Sequence, residues 1–482
     1  MFQLPNETNL TKILFSHSYF YRFDQKQWDN KKPYPPLGTI TAAAFMRNKS
    51  YEVALCDVGL ANGPEVVDPY IKDNPNFFAI YDDGFNYLTK MCLTNMRQAA
   101  FVMAKKTKAL NIPVIASSSD STDHYEEYLS EGVDVVILGE AEQTLLEIVE
   151  LFTSGKTDLS TIPGIAFMRN NEVVKTPKRP VMRKLDELPI AAWDLIDVDA
   201  YRDVWHSRWN YFSLNVATTR GCPFKCNWCA KPIYGNRYNS RSAAHVTNEI
   251  ELLINSYKPD YVWMCDDIFG LKPGFVQGFR DELNARNLSI KYMIQSRADL
   301  LLEEDNIQAL ADSGLETVWI GAESGSQKIL DAMDKGTKVE QIELATRLLK
   351  QKGIRVAFFL QFGYLGETKE DIDKTINMVK NLMPDEIGAS VSYPLPGTKF
   401  FEIVKTQLVS KQNWTDSDDL DLMYDGTFSK SYYKKLHRYV HKVFQLARAK
   451  DDFKKLKPSA VFKYFYYQLM SFYFKLQMAN AK

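Results

Sequence analysis

Two stretches of the chain alternate short apolar runs with helix-like segments, and this alternation limits the possible folds more than any other feature. The first stretch covers about the first 155 of 482 residues. Its apolar runs have the pattern of buried parallel strands and lie at residues 13–16, 53–56, 77–81, 113–117 and 133–138. Helical patterns separate them, at residues 37–48, 95–110, 123–131 and 141–154. The spacing predicts an α/β fold with an N-terminal doubly wound, Rossmann-like domain.

The second stretch contains six further apolar runs. They lie at residues 214–218, 261–265, 291–295, 317–321, 356–362 and 387–392. Six strand–helix units are fewer than the eight of a complete TIM barrel, so we expect a partial (β/α)6 barrel. The proline-containing segment before it has two strand-like pieces, which indicates a linker with a hairpin. The predicted domains are residues 1–155, 156–210, 211–400 and a helical C-terminal extension at 401–482.

The charge of the chain is distributed unevenly. Residues 430–482 carry 13 basic and 2 acidic side chains, a local charge of +11, whereas the rest carries 46 basic and 58 acidic ones. The whole sums to −1, which argues against a uniformly basic nucleic-acid binder, and we expect no specific nucleic acid as a partner. The basic tail is also rich in Phe and Tyr. Such a helix either packs on the barrel or makes a peripheral contact with a membrane surface.

The expected compartment is the cytoplasm. No apolar window is long enough to span a bilayer, and the first residues lack the pattern of a signal peptide. Six cysteines in 482 residues are too sparse for a disulfide framework. Three of them lie close together, which in a reducing compartment indicates metal or redox chemistry.

The strongest motif is the sequence TRGCPFKCNWC, directly after the predicted strand at 214–218. It places Cys222, Cys226 and Cys229 at spacings of three and two intervening residues. Three thiolates on one loop can each hold one iron of a 4Fe–4S cube and leave the fourth iron open for chemistry. The alternative is a structural zinc site with a fourth ligand elsewhere, although zinc loops favour CxxC pairs.

A CxxxCxxC loop after the first strand of a six-unit barrel resembles the radical S-adenosylmethionine (SAM) superfamily. The resemblance implies that the three cysteines bind a 4Fe–4S cluster and that SAM chelates its fourth iron. Reductive cleavage of SAM would then give a 5′-deoxyadenosyl radical. Trp228 stands where the family usually has an aromatic residue, near the adenine.

Later motifs agree with this family in position and order. Gly321-Ala322-Glu323-Ser324-Gly325-Ser326 resembles the GxESGS segment that lines the SAM site, with Gly321, Glu323 and Ser324 as candidate SAM-binding residues. The sequence GYLGET at 363–368 resembles GxPGET with leucine in place of proline, and PLPGT at 394–398 resembles PxPGT. Arg297, after the third predicted strand, could pair with the SAM carboxylate or with substrate, or could form an ordinary surface ion pair. Asp266 and Asp267 end the second predicted strand and are further candidates.

The N-terminal domain resembles the cobalamin-binding domain of one large radical SAM group. The matches are PPLG at 35–38, Gly139-Glu140 after the last strand, and Thr94 at the place of a Ser-x-Leu motif; Asp57 begins the segment that corresponds to DxHxxG. That segment has no histidine, and Ser117-Ser118-Ser119-Asp120 replaces the usual glycine pair. The domain therefore either binds cobalamin without a histidine ligand or keeps only the fold. His17 and His206 are weaker candidates for a catalytic role, because a lone histidine is more often structural.

The function expected from the resemblance is cobalamin-dependent methyl transfer to an unactivated carbon of a small-molecule substrate, with flavodoxin or ferredoxin as the reducing partner. One alternative is a radical oxidoreductase similar to anaerobic magnesium-protoporphyrin monomethyl ester cyclase, acting on a tetrapyrrole or another small molecule. A second is a cluster-bearing binding protein without catalysis. No individual catalytic residue follows from the sequence.

Overall fold

The computed structural model describes residues 10–86, 88–303, 305–408, 411–454 and 460–479. By packing, the chain divides into two units. The first unit contains the chain up to Pro223 together with Lys231–Asp267 and Asn413–Asp419. The second contains Phe224–Ala230, Ile268–Gln412 and Leu420–Lys482.

The first unit is built on a seven-stranded sheet. Its strands are Lys12–Ser16 (β1), Glu52–Cys56 (β2), Phe77–Tyr81 (β3), Val114–Ser117 (β4), Val135–Ile137 (β5), Ile165–Arg169 (β6) and Glu172–Lys175 (β7). The order is β2-β1-β3-β4-β5-β6-β7, and β1 to β5 pair in parallel. The strand order 2-1-3-4-5 is that of a flavodoxin-like sheet. The predicted doubly wound N-terminal domain is confirmed.

Helices cover both faces of this sheet, which explains its continuous apolar runs. The helices of the first unit are Gln25–Asn30 (α1), Leu37–Arg47 (α2), Asp68–Lys72 (α3), Thr94–Lys108 (α4), Ser119–Asp123 (α5), Tyr125–Ser130 (α6), Glu142–Thr153 (α7), Val198–His206 (α8) and Ala243–Tyr257 (α9). Every residue of β3 is buried, as expected for a strand inside a two-sided parallel sheet.

The predicted hairpin extends the first sheet. Strand β6 pairs antiparallel with β5, and β7 pairs antiparallel with β6. Without β6, the backbone N–H and C=O groups at the outer edge of β5 would lack strand partners. The hairpin satisfies that edge, which is why it belongs to the N-terminal sheet.

All six predicted strands of the second alternation are present. Ser213–Val216 (β8) is followed by Thr219–Arg220 (β9), Asn239–Ser240 (β10) and Tyr261–Met264 (β11) in the first unit. There β8 and β11 pair in parallel, and β9 and β10 form a short antiparallel pair. In the second unit a parallel sheet contains Lys291–Ser296 (β12), Leu315–Glu323 (β13), Arg355–Phe362 (β14) and Glu386–Val391 (β15).

The helices of the second unit lie beside these strands and in the tail. They are Phe275–Ala285 (α10), Ala298–Leu301 (α11), Asn306–Asp312 (α12), Gln327–Ala332 (α13), Val339–Gln351 (α14), Lys369–Leu382 (α15), Lys399–Val404 (α16), Lys430–Lys454 (α17) and Ala460–Ala479 (α18). Of the predicted helical extension at 401–482, the described residues 430–454 and 460–479 are helical, whereas residues 411–429 are not. Among the described residues, no helix has the length and apolar character needed to cross a bilayer.

Candidate functional site

The three cysteines of the predicted cluster loop are each half-buried. Cys222 belongs to the residues of the first unit, whereas Cys226 and Cys229 belong to the second. Within the described part of the chain, no three His, Cys, Asp or Glu side chains already enclose a metal site. In the sequence, the three thiols fall within eight consecutive positions. The set of three thiols nevertheless suits iron, which thiolates bind strongly.

Asn227 anchors the cluster loop within the second unit. Its side-chain amide donates to the carbonyl of Ala332 at 2.7 Å and accepts from the Tyr364 hydroxyl at 2.8 Å. Its backbone N–H donates to Met333 at 3.0 Å, and its carbonyl accepts from Phe400 at 2.9 Å. Because Asn227 lies between Cys226 and Trp228, these four hydrogen bonds fix the middle of the loop.

Trp228 presents a polar atom that the protein leaves unsatisfied. Its indole Nε1–H is buried and finds no hydrogen-bond partner among the described residues. A buried donor without a partner is costly, so it marks a place where a ligand acceptor fits. The prediction that Trp228 lies near a bound cofactor remains a prediction.

Asp266 braces the backbone just before the cysteine loop. Its carboxylate accepts from the backbone N–H groups of Thr218 and Thr219, both at 2.7 Å, and from the Thr218 hydroxyl at 2.6 Å. Burial raises the pKa of Asp266 to about 6, although these hydrogen bonds pull it down. The neighbouring Asp267 instead pairs with Lys90 at 2.5 Å. The structure thus gives Asp266 a positioning contact to the start of the motif.

Arg220 forms a buried ion cluster with two carboxylates of the N-terminal domain. Its guanidinium reaches Glu140 at 2.5 Å and Glu142 at 2.5 and 3.1 Å. The backbone N–H of Met182 also donates to Glu140. Exposed fractions of the three side chains are 4% for Arg220, 8% for Glu140 and 2% for Glu142.

The two carboxyl groups respond differently to this shared cation. Burial raises the pKa of Glu140, which takes one hydrogen bond from Arg220 and remains above its usual value. Burial also pushes the pKa of Glu142 upward, but the charge and two hydrogen bonds of Arg220 outweigh it and the pKa is lowered. Glu140 was predicted to bind a cofactor. Here its oxygens are engaged by Arg220 and Met182, and Gly139 before it turns the chain at a φ of 102°.

Glu323 forms a second buried ion pair, with Lys335 at 2.9 Å. Glu323 has a φ of 54° and lies where the register of β13 shifts against β14, an irregularity that re-aims a side chain. Burial lowers the pKa of Lys335, but the charges of Glu323 and Cys226 outweigh it and the pKa is raised. A Cβ on Gly321 would lie 2.7 Å from Lys335 Nζ. Gly321 therefore makes room for the pair.

Arg297 is buried and fully engaged with its surroundings in the second unit. Its guanidinium pairs with Asp299 at 2.8 and 2.9 Å and donates to the carbonyl of Lys335 at 2.7 Å. It also stacks 3.8 Å from the ring centre of Phe224 in the cysteine loop. The ion pair of Arg297 is thus buried and not at the surface, and a role toward SAM or substrate stays a prediction.

The remaining motif residues hold the strand ends of the second unit in place. The Ser324 hydroxyl contacts the Thr375 hydroxyl of α15 at 3.1 Å, and Ser326 donates to Asp371 at 2.6 Å. A Cβ on Gly325 would lie 2.6 Å from the backbone oxygen of Lys374, so this turn requires glycine. In this arrangement the GxESGS-like turn packs directly on α15.

Glu367 of the GYLGET turn is a buried carboxyl. It accepts from the backbone N–H of Gly363 at 2.6 Å, and its other oxygen has no partner among the described residues. Burial, with a smaller contribution from the charge of Asp371, raises the pKa of Glu367 to about 8.

In the N-terminal domain, Asp57 is held by residues that the motif comparison did not consider. It accepts from His17 Nε2 at 2.9 Å and from the Tyr201 hydroxyl at 2.9 Å. Burial pushes the pKa of Asp57 upward, but His17 and the other hydrogen bonds outweigh it and the pKa is lowered. His17 directly follows β1. Its imidazole thus contacts Asp57, the first residue of the DxHxxG-like segment that has no histidine of its own. His206 ends α8 and is exposed.

The crevice between β1 and β3 is the switch point of this sheet, where ligands of such folds bind. Here Ser18 donates to Asp82 with its backbone N–H at 2.6 Å and its hydroxyl at 2.7 Å. A small cavity beside them is also lined by Cys92, Met96 and Arg97.

Further polar groups line this cavity or are sequence neighbours of residues that line it. Arg97 pairs with Asp120 at 2.6 Å, and the backbone N–H of Thr94, the first residue of α4, donates to Trp414 at 3.0 Å. Ser119 Oγ and Asp83 Oδ2 are buried without a partner among the described residues. Such unpaired oxygens suit a ligand that carries amide or hydroxyl donors.

Sequence reasoning missed the groups that hold the site together. Arg220 and Asn227 lie inside the quoted cysteine motif but received no role. Lys335 is separated from Glu323 by 11 residues and follows no spacing rule. No sequence pattern identifies the partner of a single buried lysine, because the pairing depends on the tertiary structure.

Comparison with known proteins places this site in a family context. Residues 216–379 match the model of the radical SAM superfamily. An uncharacterized methyltransferase of Pyrococcus horikoshii is 28% identical over 393 residues, which cover 80% of this chain and 82% of that protein. The anaerobic magnesium-protoporphyrin IX monomethyl ester cyclase of Rubrivivax gelatinosus is 27% identical over 304 residues, covering 61% of this chain but only 53% of the cyclase.

Among solved structures, the radical SAM methyltransferase TsrM from Kitasatospora setae, with cobalamin and a [4Fe–4S] cluster bound, has a similar fold. The TM-score is 0.68 at 17% identity, with 83% of this chain and 75% of TsrM covered. At that identity the likeness is one of fold.

Proposed function

From the premise that this chain is a radical SAM enzyme, we propose that it transfers a methyl group to an unactivated carbon of a small molecule with the help of cobalamin. The observation that carries the proposal is the loop with three half-buried cysteines, fixed at its centre by the hydrogen bonds of Asn227. The methyltransferase of Pyrococcus horikoshii, similar over 80% of this chain, supports the choice of methyl transfer.

Cys222, Cys226 and Cys229 would hold the cluster. When bound, a [4Fe–4S] cluster with SAM at its open iron supplies one-electron reductive cleavage of SAM and a 5′-deoxyadenosyl radical. Around it, Asn227 holds the loop and Arg297 stacks on Phe224. Trp228 offers an unpaired N–H to the ligand. Lys335, whose pKa is raised despite its burial, chiefly by the charge of Glu323 and also by that of Cys226, lies close to this cysteine.

The N-terminal domain would hold cobalamin at the carboxyl ends of its strands. When bound, cobalamin supplies a cobalt that accepts and passes on a methyl group. The unpaired oxygens of Ser119 and Asp83 suit the amide groups around a corrin ring. The segment that begins at Asp57 contains no histidine, and the nearby His17 is hydrogen-bonded to Asp57. We therefore infer a site in which neither supplies a histidine ligand to cobalt.

A second candidate is a radical oxidoreductase that acts on a tetrapyrrole or another small molecule. The observation that favours it is the 27% identity to the cyclase of Rubrivivax gelatinosus. For either reaction we propose a cytoplasmic enzyme that takes electrons from flavodoxin or ferredoxin.

Anaerobic reconstitution tests the radical SAM assignment of the cysteines. We expect about four irons per chain and release of 5′-deoxyadenosine from SAM after reduction. Cys226→Ala should lose both, whereas the matched variant Cys56→Ala, which removes a buried thiol outside the loop, should keep both. Equal iron and equal 5′-deoxyadenosine in the two variants would refute the assignment.

The products of SAM separate the two candidate reactions. Methyl transfer through cobalamin yields S-adenosylhomocysteine beside 5′-deoxyadenosine, and the purified protein should retain corrinoid absorbance. A cyclase-like reaction yields 5′-deoxyadenosine alone. A protein that forms the radical but never retains cobalamin would exclude the methyltransferase version and keep the oxidoreductase.

A further inference from the structure

The last helix, α18, exposes a continuous stripe of large apolar side chains. Phe462 is 78% exposed, Phe465 64%, Leu469 66%, Phe472 60% and Leu476 51%. Their spacing of three and four residues places them on one face of the helix. Tyr466 and Tyr473, which are 44% and 47% exposed, lie on the same face. We call these seven side chains the aromatic stripe.

The aromatic stripe is distinct from the face by which α18 packs on α17. The buried side chains of α18 are Ser471, Phe474 and Met478, on the opposite side of the helix. Lys435 of α17 also donates to the carbonyl of Gln477 at 3.3 Å. A helix that is apolar on two opposite faces, with only one of them covered, leaves the other for an external partner.

The stripe also differs from the other exposed apolar residues. Of 17 large apolar side chains exposed in the described chain, eight lie on this one helix of 20 residues, while the other nine are spread over the rest. Single exposed apolar residues are ordinary on protein surfaces, whereas a contiguous group indicates an interaction site.

The charge around the stripe indicates which partner fits. Residues 460–479 contain no Asp or Glu, and their two charged side chains, Lys463 and Lys475, are exposed. The whole segment 430–482 has a net charge of +11. A second copy of the same helix would bring like charges together without an acidic partner, which disfavours self-association. An anionic surface complements the charge.

We propose that α18 docks this protein on an anionic lipid bilayer, lying in the plane of the interface with the aromatic stripe among the lipids. Phe, Tyr and Leu on one face with lysines beside them are typical of interfacial helices. Among the described helices, none is long and apolar enough to cross a bilayer. We therefore propose a peripheral contact. The exposed lysines meet the anionic headgroups.

Flotation of the full-length reconstituted protein with vesicles tests the proposal. We expect binding to vesicles of equal parts phosphatidylglycerol and phosphatidylcholine, and little binding to phosphatidylcholine alone. Leu469→Gln/Phe472→Gln should weaken the binding at least about tenfold, because two large apolar side chains no longer enter the interface. Lys463→Glu/Lys475→Glu should abolish the preference for anionic vesicles.

The matched control is Leu344→Gln/Ile403→Gln, which changes two side chains of similar exposure, 50% and 58%, outside the tail. It should bind like the unaltered protein, and circular dichroism should show all variants equally folded. Equal binding by the stripe variant and the control would overturn the proposal. The proposal would also be overturned if the unaltered protein did not bind vesicles but formed a dimer in light scattering, and if the stripe variant were monomeric.

Discussion

Removing the guanidinium of Arg220 should destabilise the first unit strongly. Arg220→Met keeps the apolar stem but leaves the carboxylates of Glu140 and Glu142 buried together without their cation. Breaking a buried ion pair by removing one partner costs about 3–5 kcal/mol. Protonation of Glu140, whose pKa is already raised, relieves part of the repulsion, so we expect a loss within that range at pH 7.

The pH dependence of this loss follows from the signs of the pKa shifts. In the unaltered protein the lowered pKa of Glu142 contributes stability above the ordinary pKa of glutamate, and the contribution is lost as the pH falls through the lower folded pKa. In Arg220→Met both carboxyl groups would have raised pKa values, so the penalty is largest at high pH and fades toward the ordinary pKa. The difference in unfolding free energy should therefore shrink from pH 8 to pH 5.

Urea unfolding followed by tryptophan fluorescence measures the effect, because six of the eight tryptophans lie in the first unit. Arg47→Met is the control, since Arg47 pairs with Asp194 at an exposed site where the side chains are 40% and 64% exposed. Exposed pairs contribute at most about 1 kcal/mol. Arg220→Met/Glu140→Gln/Glu142→Gln should recover most of the stability. If Arg220→Met costs no more than Arg47→Met, the buried cluster does not stabilise the fold as reasoned.

Three further predictions concern the second unit. The pKa of Glu367 is raised to about 8, so the folded protein disfavours the charged carboxylate. The resulting loss in unfolding free energy is absent below the ordinary pKa of glutamate, grows as the pH rises and is complete above about 8. Glu367→Gln should thus gain thermal stability over the unaltered protein at pH 9 by a few kcal/mol and show little gain near pH 5; an equal effect at both pH values would contradict this. Lys335→Met should leave Glu323 buried without its partner and cost about 3–5 kcal/mol in urea unfolding, and a double variant with Glu323→Gln should cost clearly less. Gly325→Ala would bring a Cβ to 2.6 Å from the backbone of Lys374, so its melting temperature should fall by the equivalent of about 1–3 kcal/mol, an expectation that an unchanged melting curve would refute.

The strands were predictable because their signal is local. Buried parallel strands need uninterrupted apolar runs, and each predicted run coincides within a few residues with an observed strand, from Lys12–Ser16 to Glu386–Val391. The cysteine loop was equally accessible, because the spacing of Cys222, Cys226 and Cys229 is a property of the sequence itself. The hairpin strands were found, but their place in the N-terminal sheet depended on the free edge of β5.

The pairing of charged side chains was decided only by the tertiary structure. His17 and Asp57 lie 40 positions apart, and Glu142 and Arg220 lie 78 apart. A buried charge must find a partner because isolation in a low dielectric is costly, yet which partner it finds depends on where the strands end in space. The exposed face of α18 was likewise decided by the tertiary structure. The sequence predicted an aromatic, basic helix, and only packing determined which of its two apolar faces was covered. Local periodicity thus determined the elements and the motif, whereas long-range packing determined what holds the motif in place.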